Sequence, residues 1–136
     1  MSVVVDASFI CSLLLPDESD DRILSLAKSV LDDDVYAPAL IQCEMLNILL
    51  MAVRRRRITS KQRDRAMSVF EQFKIRVDGP MSGQQISRIL KLADAYGLTA
   101  YDATYLELGV RQQAGIATLD KDLQKAVRGE GLKVFS

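Results

Sequence analysis

Four carboxylates, Asp6, Glu44, Asp102 and Asp120, lie far apart along the chain, yet their local patterns send them to one place. Asp6 directly follows Val3-Val4-Val5. Such a β-branched run reads as a buried strand, and an apolar helical pattern begins at Phe9. Asp120 follows the strand-like Ile116 to Leu119 and opens a last short helix. An acid between a strand and the next helix sits at the carboxyl edge of a parallel sheet, where ligands bind. Asp102 lies in the first turn of a helix after a Gly-Leu-Thr connection, and Glu44 about one turn into a helix that leaves a strand at that same edge.

Three of the positions also have a plainer use. Asp6 and Asp120 suit helix N-caps, and Thr99-Ala100-Tyr101-Asp102 has capping-box spacing with Asp in place of Glu or Gln. Glu44 has no such explanation. Its helix, from about Ala39 to Arg55, reads as apolar almost all round and hence buried. An unpaired buried carboxylate is costly, and no Lys or Arg stands three or four residues away. A divalent ion would satisfy all four acids at once and relieve their mutual repulsion. Oxygen-only donors select hard ions, Mg²⁺ or Mn²⁺. One or two such ions activate water and steady the leaving oxygen of a phosphodiester. Ser8, Asn47 and Thr118 are placed to orient carboxylates or ordered water. Their alternatives are a helix-start hydroxyl, a polar helix residue and a β-former. Asp122 is either a further ligand through water or a first-turn helix acid.

The elements that must position these residues alternate from end to end. Helical patterns run over about 7–15, 39–55, 82–96 and from Thr99 onward. A second helix is opened by the acidic run Asp17 to Asp21, and a fourth is capped by Thr59 or Ser60. Strands are expected at 35–37, 75–77, 116–119 and 132–135. Helix three, and Ile86, Ile89, Leu90, Leu92 and Ala93 of helix five, are expected to face inward, with Gly115 ending helix six. Strands alternating with helices predict an α/β fold with a parallel sheet covered on both faces. With 136 residues, 49% apolar and 26% charged, the chain is expected to form one soluble domain, 1–136.

Composition narrows the chemistry. Histidine is absent, which excludes Ser-His-Asp and Cys-His catalysis and His-ligated zinc. Cys11 and Cys43 fall in apolar helical patterns and are expected to be reduced core residues. Net charge is zero, so nucleic-acid binding needs a local basic patch. Arg54, Arg55, Arg56 and Arg57 offer one, which contacts RNA, a protein partner or only solvent. No membrane span or secretory signal is seen, and a cytoplasmic location is expected.

Four motifs together resemble a known family. Val-Val-Val-Asp6-Ala-Ser8, Glu44-Met-Leu-Asn47, Tyr101-Asp102-Ala-Thr-Tyr105 and Thr118-Leu-Asp120-Lys-Asp122-Leu are similar to the PIN domain. More narrowly, they resemble VapC-type toxins of bacterial toxin–antitoxin pairs. The resemblance implies a three-layer α/β/α domain with a five-stranded parallel sheet in the order 3-2-1-4-5. It implies a Mg²⁺- or Mn²⁺-dependent endoribonuclease acting on tRNA or other structured RNA, homodimeric and neutralised by a cognate antitoxin. Asp6, Glu44, Asp102 and Asp120 fall on the family's acidic positions.

Two other readings compete. A catalytically silent PIN scaffold would bind RNA or a partner without cutting. A phosphoacceptor receiver domain would need paired acids after strand one and a free Asp after strand three, whereas Asp6 stands alone and Asp78 lies in a Gly-Pro turn.

Overall fold

A computed structural model describes residues 1–136. Five parallel strands form one sheet: β1 (Ser2–Val5), β2 (Asp34–Ala37), β3 (Ile75–Val77), β4 (Gly115–Ala117) and β5 (Val134–Phe135). Their spatial order is β3-β2-β1-β4-β5, as the resemblance implied. The helices are α1 (Ala7–Leu14), α2 (Asp21–Leu31), α3 (Leu40–Arg54), α4 (Ser60–Gln72), α5 (Gly83–Tyr96), α6 (Ala100–Gln112) and α7 (Lys121–Gly129). Right-handed crossovers put α1–α4 on one face and α5–α7 on the other, and each group packs on itself.

Val3, Val4 and Val5 are fully buried, because the central strand is covered on both faces. The chain builds outward from β1 to β3 and then returns to β4 on its other side. The order therefore reverses between β1 and β4, the crevice where open α/β sheets bind ligands. In that register Val5 pairs with Ala117. The next residue on each strand, Asp6 and Thr118, consequently stand side by side at the rim.

Several expectations need correction. Only one stripe of α3 is buried: Ile41, Met45, Leu49 and Ala52. Leu46 is 54% exposed, and Cys43 is exposed rather than in the core. α3 packs against α1 and α4, and nothing in this chain covers its outer side. On α5 only Ile89 is buried, while Ile86 and Leu90 face outward, because α5 packs chiefly against α6.

The acidic run before α2 divides its labour. Asp20 caps the helix through Ile23 N at 2.8 Å. Asp17 and Glu18 instead bind Arg57, at 2.9 and 3.1 Å. Gln113, not Gly115, takes the left-handed position ending α6, with φ 51°. Gly115 begins β4, where a Cβ would lie 2.7 Å from the Lys133 carbonyl oxygen. β5 is shorter than expected and begins only at Val134, and β4 ends before Thr118.

Candidate functional site

Asp6 is buried at the mouth of the β1/β4 crevice. Its carboxylate caps α1 by accepting from Phe9 N at 2.9 Å. The same carboxylate accepts from Ser8 Oγ at 2.7 Å and from the Thr118 hydroxyl. Thr118 Oγ1 in turn accepts from Asp120 N at 3.1 Å, and Ser8 Oγ accepts from Leu119 N at 3.1 Å. The hydroxyls of Ser8 and Thr118 thus tie the starts of α1 and α7 together. Asp120 caps α7 through Leu123 N at 2.9 Å. Capping and convergence coexist at Asp6 and Asp120, because one carboxylate has about four acceptor sites.

Glu44 is half-buried on α3, and Tyr105 Oη donates to its Oε1 at 2.5 Å. Burial and the neighbouring Glu44 carboxylate push the Tyr105 phenol up, so it stays a donor. Thr99 caps α6 by accepting from Asp102 N at 3.1 Å. The Asp102 side chain returns no bond to the cap, so no capping box engages its carboxylate.

All four acids line one cavity of about 190 Å³, together with Ala7, Ser8, Ile48 and Tyr105. No Lys or Arg forms a salt bridge with any of them. The charge is felt within the site. Burial, followed by the charges of Asp120, Asp6, Glu44 and Asp122, pushes Asp102 up to about 6. Burial raises Asp6 too, against the lowering effect of its bonds from Thr118, Phe9 and Ser8. As positioned, no three side chains form a closed cage for an ion. The donor set itself fits a hard divalent cation: it is all oxygen, anionic and without an internal counter-ion.

The other residues singled out in the sequence divide. Ser8 lines the cavity, and Thr118 holds both Asp6 and Asp120 through its hydroxyl. Asn47 is exposed and lies outside the cavity lining. Asp122 is exposed and lines a different hollow beside Tyr96 and Lys125, acting on Asp102 only through its charge. Arg54, Arg55 and Arg56 are exposed, whereas Arg57 clamps the α3–α4 connection to the α1–α2 connection through Asp17 and Glu18. No local pattern marks the role of Tyr105, since its signal is tertiary: it meets Glu44 only when α3 and α6 converge over the rim.

The PIN domain family profile matches residues 3–129. A search of curated proteins by sequence finds no match. Among solved structures, FitAcB from Neisseria gonorrhoeae superposes with a TM-score of 0.70 at 19% identity, covering 98% of this chain and 96% of that one. VapBC2 from Rickettsia felis, bound to a DNA fragment from its promoter, gives a TM-score of 0.70 at 9% identity over 98% and 97%. VapC20 from Mycobacterium tuberculosis, a sarcin–ricin loop cleaving toxin, gives 0.61 at 17% identity over 91% and 94%. With the profile spanning nearly the whole chain and its fold shared with these proteins, the chain belongs to the PIN domain family.

Proposed function

We propose that this chain is a metal-dependent endoribonuclease toxin of a VapBC-like pair, acting as one PIN domain over 1–136. The observation that carries the reading is the meeting of Asp6, Glu44, Asp102 and Asp120 in one cavity with no basic side chain to balance them. When bound there, Mg²⁺ or Mn²⁺ supplies Lewis acidity toward a phosphodiester and a water of lowered pKa. Asp6, Asp102, Asp120 and Glu44 would hold it.

The chain's own residues do the rest. Ser8 and Thr118 fix the Asp6 carboxylate between them. The Tyr105 hydroxyl fixes Glu44. Burial and the neighbouring acids raise the Asp102 carboxyl to about 6, and a divalent cation held there would favour its ionised form. Arg54, Arg55 and Arg56 would contact the RNA backbone or an acidic segment of the antitoxin. Homodimerisation would cover some of the apolar surface left open on α3 and α5. An RNA substrate and an antitoxin partner would both be met in the cytoplasm.

The receiver-domain alternative fits poorly. Its expected strand order is 2-1-3-4-5, against β3-β2-β1-β4-β5 here, and Asp78 is bound by Arg111. The decisive assay incubates structured RNA with the purified chain and Mg²⁺ or Mn²⁺. Cleavage should vanish on adding EDTA and in Asp6→Asn, with the circular-dichroism spectrum unchanged. Equal cleavage by Asp6→Asn would move the chemistry elsewhere, and a folded wild type that never cuts RNA would favour the silent scaffold.

A further inference from the structure

Of the four phenylalanines and four tyrosines, all but Tyr101 belong to the core or pack against it. The other tyrosines also have a partner for the hydroxyl. Tyr36 accepts from Arg76, Tyr96 donates to Glu130 and Tyr105 donates to Glu44. Tyr101 stands apart from this pattern: it is 62% exposed, in the first turn of α6. A ring left in water adds little to the fold, since its contribution comes from the area it buries.

Its place gives the ring a use. Tyr101 directly precedes Asp102 and lies one turn before Tyr105, and both of these line the acidic cavity. Side chains four apart on a helix share a face and lean toward its N-terminus. Tyr101 therefore continues the Tyr105 side of the cavity outward to its mouth. Three residues after Tyr101, Thr104 lines a second cavity of about 310 Å³ with Ile89, Glu107 and Arg111. The acid of that cavity is already taken, because Arg111 Nε donates to both oxygens of Glu107, at 2.9 and 3.3 Å. The Tyr101 ring thus lies between an acidic hollow and a hollow whose own charges are paired.

Charge alone holds RNA poorly beside the acids. No Lys or Arg lines the acidic cavity. Arg54, the first of the exposed arginines, stands ten residues past Glu44 on α3, a rise of about 15 Å. A strand drawn to four carboxylates needs an uncharged grip close by. Stacking of a base on an aromatic ring supplies one, worth roughly 5- to 100-fold in affinity for any base.

We propose, resting on the nuclease reading, that Tyr101 stacks the base of a nucleotide flanking the scissile phosphate and so seats single-stranded RNA over the acids. Every base has a π-face, so the contact fixes the position of the strand without reading its sequence. It also favours unpaired RNA, whose bases are free to splay out onto a ring.

The test measures steady-state cleavage of a short single-stranded RNA spanning a mapped cut, with Mg²⁺. Tyr101→Ala should raise KM roughly 5- to 100-fold. It should leave kcat nearly unchanged, because stacking holds ground state and transition state alike. Tyr101→Trp should restore KM, whereas Tyr101→Leu, apolar but without a ring, should not. The loss should be equal at low and high salt, unlike that of a phosphate contact. Replacing one nucleotide beside the cut by an abasic sugar should erase the difference between Tyr101→Ala and the unsubstituted chain. The sequence has no tryptophan, so the Tyr101→Trp chain carries a single indole. Its fluorescence should be quenched saturably on rapid mixing with the RNA, before turnover.

An unchanged KM in Tyr101→Ala, while the unsubstituted chain cuts RNA, would overturn the proposal and leave the nuclease reading standing. So would a loss confined to kcat, or a wild-type KM in Tyr101→Leu. A Tyr101→Ala chain that cuts normally but elutes at half the mass on gel filtration would also overturn it, and would assign the ring to a contact between copies. No cleavage by the unsubstituted chain would reject the nuclease reading. Quenching by RNA would then keep the base contact, and its absence would overturn that contact too.

Discussion

Tyr105 Oη donates to Glu44 Oε1 at 2.5 Å, bridging two helices across 61 positions of sequence. It is the only hydrogen bond from a protein side chain that Glu44 receives, so it sets the direction in which the carboxylate faces the cavity. Removing a partner of this kind typically costs about 10- to 100-fold in metal affinity or activity. Tyr105→Phe should therefore keep the fold and lower kcat for RNA cleavage by at least about tenfold. Steady-state kinetics beside a thermal melt would show it. A melt lowered by many degrees with kcat unaltered would make Tyr105 merely structural.

The pKa of Asp102 gives a pH signature. Its carboxyl is raised from 3.8 to about 6, burial being the largest cause and the neighbouring acids the next. A raised folded pKa means that the folded chain holds the proton longer than the unfolded one. Stability from this group is complete below pH 3.8 and is lost as pH rises through about 6. Without metal, Asp102→Asn should thus melt higher than wild type at pH 7.5, by about 1 kcal/mol after discounting for solvent exposure. The two melts should coincide below pH 4. Thermal scans in EDTA across that range would reveal the crossing, and a variant less stable at pH 7.5 would contradict the repulsion argument.

Arg54, Arg55 and Arg56 are free at the surface, and Arg57 is held by Asp17 and Glu18. If the free three meet phosphate, replacing all three by Ala should reduce the slope of log affinity against log salt by about 2. Arg57→Ala should scarcely change that slope. Binding of a non-cut RNA at several salt concentrations measures both, and equal slopes would assign the free arginines to a protein partner or to solvent.

Gly115→Ala tests the outer edge of the sheet. The added methyl would sit 2.7 Å from the Lys133 carbonyl oxygen and from Phe135 Cε2. β5 must shift away, at a cost of about 1–3 kcal/mol. Urea titration would detect that loss, and an unchanged midpoint would show that the edge moves freely.

What the sequence revealed follows from the range of each signal. Period-two and helical patterns are local, so the strands, most helix starts and the caps at Asp6, Thr99 and Asp120 were readable. The convergence of Asp6 with Asp120 was readable too, because parallel strands fix which end of each strand meets the rim. Signals that depend on a distant neighbour were not. The outer side of α3 looked buried because apolar residues circle it, yet coverage depends on what packs there. Arg57 looked like one of four equivalent arginines until Asp17 and Glu18 came within reach. Asn47 shares a helix with Glu44, but three residues of rotation leave it facing solvent. Tyr105 and the Glu107–Arg111 pair are defined by packing between elements, which no local pattern carries.

On the proposed reading, acids from four separate segments hold one divalent site together. Isothermal titration of the purified chain with Mn²⁺ tests it most directly. Saturable binding that is abolished or greatly weakened by Glu44→Gln and by Asp102→Asn alike, on variants that stay folded, is the expected result. Mn²⁺ binding that survives both substitutions unchanged, or no binding by the wild type, would contradict it.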